Sequence, residues 1–168
     1  MKQLIKRRDF LYILSAAILG SAFHFLYDFT GENPFAALIS PVNESTWEHL
    51  KLLFFPVLFL TIIEYIIRRP GPSGFFGGRL CGVLAGMTLI VFLFYGYSFV
   101  LGRNFLIIDI LIFLVSVCFT YVLSGHLYKH FRYADGMLIL LGWVLVILLF
   151  FSFTCFPPDC FLFYPPQN

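Results

Sequence analysis

Residues 40–56 read SPVNESTWEHLKLLFFP, a stretch in which Glu44, Glu48, His49 and Lys51 give way within a few positions to an unbroken apolar run. That run opens a segment, about 47–67, long enough for a helix to cross a bilayer, which takes roughly 20 apolar residues. Ser45 followed three residues later by Glu48 predicts a capping box, in which serine caps the helix start and glutamate reaches back to the serine N–H. Trp47 suits the aromatic belt at the membrane surface. Pro56 is expected to kink the helix, because it withholds a donor from the Leu52 carbonyl. At the far end Glu64 precedes Arg68 by one helical turn, the spacing of an ion pair at the inner surface.

Working outward, four more segments have the same character: about 10–29, 80–101, 105–127 and 137–156. With 60% hydrophobic residues, 12% charged residues and a mean hydropathy of +0.90 over 168 residues, the chain lacks the polar surface of a soluble globule. These features predict a single all-α domain over residues 1–168, an integral bundle of five transmembrane helices in the cell membrane. The first segment begins with basic residues, as a signal peptide does, but its apolar run continues through Phe29, the length of a retained crossing. Lys2, Lys6, Arg7, Arg8, Arg68, Arg69, Arg79, Lys129 and Arg132 fall on one side of this topology, with only Lys51 and Arg103 on the other. The positive-inside rule therefore predicts a cytoplasmic N-terminus and an external C-terminus.

Within the spans, Gly78, Gly82 and Gly86 form a small-residue stripe that lets a second helix approach closely, either in the bundle or in a homodimer. Asp109, Ser116, Thr120 and Ser124 form a polar stripe on the next segment, expected to face the bundle interior. Cys81 and Cys118 fall mid-span and read as packing residues. Cys155 and Cys160 flank FPPD at the outer end, where a disulfide is permitted. The lipid bilayer is the expected partner. No phosphate loop, dinucleotide fingerprint, nucleophile elbow or paired CxxC occurs, and nothing supports nucleic-acid binding.

On the outer side this topology gathers Asp28, Glu32, Glu44, Glu48, Asp109 and Asp159 with His24 and His49. His24 and Asp28 stand at i and i+4, on one face of a continuous helix. Spans joined by a short loop pack as neighbours, so His24, Asp28 and His49, with Glu44 or Glu48 beside them, predict a site for a divalent metal such as zinc. Two function classes follow. One is a non-enzymatic membrane component, ion-translocating or partner-binding. The other is a metal-dependent hydrolase or transferase at the outer leaflet, with Glu44 or Glu48 as general base. His126 and His130 also have metal-ligand spacing, but lie on the cytoplasmic side among basic residues, as a headgroup contact or a solvated helix end would.

FHFLYDFTGENP, SPVNESTWEHLKLLFFP and FTCFPPDCFLFYPP together resemble a family of small multi-pass bacterial membrane proteins of unknown function. That resemblance implies a membrane bundle of five or six helices and no particular activity. NESTWEHL is also similar to a short stretch of the progestin/adiponectin-receptor and alkaline-ceramidase superfamily of zinc-dependent membrane hydrolases. This second likeness implies zinc. The chain has two spans fewer than those proteins, and its terminal HxxxH falls on the opposite side from the other ligands.

Overall fold

The computed structural model describes residues 7–166, with side chains from Asp9 onward. Lys2 and Lys6, and the side chains of Arg7 and Arg8, lie outside the described residues. The elements are α1 (Arg7–His24), α2 (Leu26–Phe29), α3 (Pro34–Ala37), α4 (Thr46–Arg68), α5 (Pro72–Leu101), α6 (Leu106–Leu127) and α7 (Gly136–Cys155), then a 3₁₀ turn at Phe161–Phe163. There is no strand among the described residues. Four helices, α4 to α7, are long and apolar enough to cross a membrane. The expected first crossing is instead a shorter apolar helix that stops at His24, with α2 resuming after Phe25.

The break has a visible cause. In an uninterrupted helix the Tyr27 N–H would donate to the Phe23 carbonyl. Here the Ser40 hydroxyl sits between them, donating to Phe23 O at 2.6 Å and accepting from Tyr27 N at 3.1 Å. A side chain inserted into the ladder is an established way to break a helix. Past the break, α2 ends in a Schellman motif. Gly31 N donates to Asp28 O and Glu32 N to Tyr27 O, both at 3.0 Å, with Gly31 at φ +68°.

Helix α4 is the centre of the bundle: 61% of its apolar window is buried, against 17–28% for α5, α6 and α7. Leu53, Phe54 and Val57 are wholly buried, and Phe54 meets Trp143 and Phe150 of α7 at centroid distances of 5.6 and 5.1 Å. The carbonyl of Leu52, deprived of a donor by Pro56, faces Gly20 of α1 so closely that a Cβ there would lie 2.6 Å from it. Phe92, Phe99, Leu106, Ile107, Leu138 and Leu145 are exposed on α5 to α7, the apolar surface a bilayer covers.

Helix α5 begins at Pro72, eight residues before the expected span, and runs for 30 residues, about 45 Å. Proline at the first helical position is preorganised for that start. The extension draws Arg79, expected as a loop charge, into the protein. Arg79 is buried, donates to Glu64 at 2.7 Å and stacks over the Tyr121 ring at 4.2 Å. Glu64 also takes the expected bond from Arg68.

Helices α5 and α6 form a tight hairpin in which the glycine stripe meets the hydroxyl stripe. A Cβ at Gly78 would lie 2.9 Å from Ser124 O, one at Gly82 2.6 Å from Thr120 O, and one at Gly86 3.2 Å from Ser116 O. The small residues thus admit α6 of the same chain.

Candidate metal centre

The site is built at the start of α4. Asn43 Oδ1 accepts from Ser45 N at 2.9 Å, and Ser45 Oγ accepts from Glu48 N at 3.4 Å, which caps the helix. Only this half of the predicted capping box forms. The Glu48 carboxylate turns away from the Ser45 N–H into the protein, accepting from Val42 N at 3.0 Å, Thr154 Oγ1 at 3.2 Å and Lys51 Nζ at 2.6 Å. Lys51 is fully buried, and its other protons go to Ala37 O at 2.8 Å and Ser40 O at 3.3 Å. Glu48 and Lys51 therefore neutralise one another and hold the 38–45 loop against α4. Glu48 is committed to this lock, so it is not a spare base facing solvent.

Beside the lock, His24, Glu44 and His49 each offer a ligand atom, and these atoms lie within 4.8 Å of one another. The imidazole rings of His24 and His49 are 5.3 Å apart between centroids. His49 Nδ1 lies 2.9 Å from Ser45 O. A carbonyl only accepts, so Nδ1 carries the proton of that bond, and Nε2 is the nitrogen turned toward Glu44. That Nε2 stands 3.4 Å from Glu44 Oε2, close to the roughly 3.3 Å between neighbouring ligands of a tetrahedral zinc with bonds of about 2 Å. His24 Nδ1 is buried and has no hydrogen-bond partner. A buried nitrogen left unsatisfied costs roughly 1–3 kcal/mol, which a metal ion or a water would relieve. The Glu44 side chain is 71% exposed and that of His49 31%, so the group opens to solvent on one side.

Among the described residues, the converging set is His24, Glu44 and His49, without Asp28. Asp28 was expected on the His24 face of one helix, but the break at Phe25 places it in a separate element, α2. Asp109, in the first turn of α6, accepts from Tyr97, whose oxygen takes the Phe105 N–H at 3.1 Å, and lies within electrostatic range of His49. Ser116 and Thr120 are buried against the α5 glycines, with neither Oγ1 of Thr120 nor Oγ of Ser116 hydrogen-bonded. His126 gives Nδ1 to Val122 O at 2.8 Å, and α6 ends at Leu127, so His130 does not continue its helix face.

Three residues essential to this arrangement escaped the sequence reading: Ser40, Lys51 as a buried lock, and Thr154. Lys51 carried a signal, standing three residues after Glu48 on one helix face. Ser40 and Thr154 carried none, since each acts on an element distant in sequence.

No curated protein and no solved structure is significantly similar to the chain. A family model described as "Family of unknown function (DUF6512)" matches residues 2–166, and the chain belongs to that family.

Proposed function

We propose that this is a non-enzymatic multi-pass protein of the cell membrane that binds a divalent transition-metal ion, with zinc the best fit, at its outer face through His24, Glu44 and His49. The observation that carries the reading is the pairing of two imidazoles and one carboxylate within 4.8 Å, one imidazole oriented by a backbone carbonyl. Two nitrogens and one oxygen suit zinc and its neighbours, and the carbonyl partner of Nδ1 is the outer-shell bond that metal-binding histidines usually make. The charge asymmetry of the sequence supports a cytoplasmic N-terminus and an external C-terminus, which puts this end of the bundle outside.

Binding is favoured over hydrolysis because Glu48 is tied to Lys51, Val42 and Thr154, and Glu44 is needed as a ligand. A fixed site is favoured over a route across the bilayer because the Ser116–Thr120–Ser124 face is closed against glycines with no room for a methyl group. The test is elemental analysis of protein purified in detergent. About one ion per chain is expected in the wild type and in His126→Ala, and none in His24→Ala or His49→Ala inserted at normal levels. Metal retained in both of the latter variants would refute the reading.

A further inference from the structure

The three ligands come from three different elements: His24 from the last turn of α1, Glu44 from the 38–45 loop and His49 from the first turn of α4. One residue links these three elements. Ser40 lies in the same loop as Glu44, and it is wholly buried. Its hydroxyl donates to Phe23 O at 2.6 Å and accepts from Tyr27 N at 3.1 Å. The Phe23 carbonyl belongs to the peptide unit that carries the His24 nitrogen, so the bond fixes the backbone at the ligand itself. The Ser40 carbonyl in turn accepts from Lys51 Nζ at 3.3 Å, which ties it to α4 two residues beyond His49.

Resting on the metal-site reading above, we infer that Ser40 is the positioning residue of that site, holding the α1 end, the loop and α4 in the register that brings His24, Glu44 and His49 together. Its hydroxyl acts as a wedge. Without it the Tyr27 N–H is free to donate directly to the Phe23 carbonyl, the ordinary helical bond. α1 then runs on through Phe25, Asp28 comes to stand one turn above His24 on the same face, and the loop loses its attachment to α1. Both changes alter the spacing between the His24 ring and Glu44. The long bond from Phe25 N to Ala22 O, at 3.3 Å and three residues back instead of four, marks where the ladder is displaced. Outer-shell groups of this kind typically set metal affinity by 10–100-fold.

The test uses cobalt(II) as probe, because its visible absorption reports coordination geometry as well as binding. Full-length protein in detergent is titrated as wild type, Ser40→Ala, Ser40→Thr and His49→Ala. The expected result is wild-type binding that His49→Ala abolishes, a 10–100-fold weaker Ser40→Ala with a changed cobalt spectrum, and Ser40→Thr within about threefold of wild type. Alanine and threonine both disturb the packing around this buried residue, but only alanine removes the hydroxyl. Wild-type affinity in Ser40→Ala, or a Ser40→Thr as weak as Ser40→Ala, would overturn the inference while leaving the metal site standing. A wild type that takes up no cobalt overturns the metal reading, and the positioning role with it. A second measurement needs no variant. Cobalt added to the wild type should slow amide hydrogen exchange in residues 23–30 and 38–45, and unchanged exchange there would also overturn the role assigned to Ser40.

Discussion

The two ends of α4 solve the same problem in different ways. At the C-terminal end Glu64 is buried between Arg68 of its own helix and Arg79 of α5, with Tyr121 of α6 over the guanidinium. At the N-terminal end Glu48 is buried against Lys51, and the bonds reach a loop and α7. Each is an acid held by a base inside an apolar bundle, where an uncompensated charge is costly. The Glu64 cluster joins helix to helix. The Glu48 cluster instead fixes an irregular segment, and beside it stands a histidine pair with one imidazole nitrogen facing Glu44 and another unsatisfied. Charge pairing alone thus marks an anchor, and it is the surplus donor atoms beside the anchor that distinguish a candidate site.

Removing one charge from either end sharpens that distinction and has the largest expected effect. Lys51→Met leaves the Glu48 carboxylate buried without its base, and Arg79→Met strips Glu64 of its interhelical partner. Lys51→Met should destabilise the fold by about 3–5 kcal/mol, and Arg79→Met by less because Arg68 still faces Glu64, both read from thermal unfolding in detergent. Only Lys51→Met should also abolish metal uptake, since it frees the 38–45 loop. Equal loss of metal in the two folded variants would show that the ends are not independent.

A smaller effect is expected along the α5–α6 seam. Gly86→Val forces side-chain atoms against the Ser116 carbonyl and Thr120, at a cost of about 1–3 kcal/mol from overpacking. At Gly96 an added Cβ meets nothing within 4 Å, so Gly96→Ala should leave the unfolding midpoint unchanged or slightly raised. If the two substitutions behaved alike, the seam would not be the close contact described.

Loss of the α4 cap in Ser45→Ala should cost about 1 kcal/mol and weaken metal binding modestly, because His49 takes its orientation from the same residue's carbonyl. Asp28→Asn, outside the converging set, should leave metal content and stability within error. Metal lost in Asp28→Asn would restore the carboxylate that a continuous α1 places beside His24.

Much of the fold was legible because it follows from local rules. Apolar runs of bilayer length mark α4 to α7, the Ser45 cap starts α4, and Glu64 and Arg68 meet at helical spacing. Each of these depends on neighbours within about one turn or on composition alone. The expected first crossing is cut short at His24 because Ser40, distant in sequence, enters the hydrogen-bond ladder of α1. The same event explains why Glu44 and not Asp28 joins the histidines. Arg79 was misplaced because its charge suggested a loop, whereas a partner on another helix, Glu64, lets it lie buried within α5. The glycine and hydroxyl stripes were each readable by periodicity, but that they face one another is a property of the α5–α6 hairpin. In each of these cases the deciding partner comes from another part of the chain.

The most direct measurement is X-ray absorption at the metal edge of zinc-loaded wild-type protein. The expected spectrum shows two imidazole nitrogens and one or two oxygens at about 2.0–2.1 Å, with the imidazole signal reduced in His49→Ala. Scattering from sulfur at about 2.3 Å would assign the ion to the exposed Cys155 and Cys160 instead. A shell of water oxygens without imidazole would likewise contradict a site built from His24, Glu44 and His49.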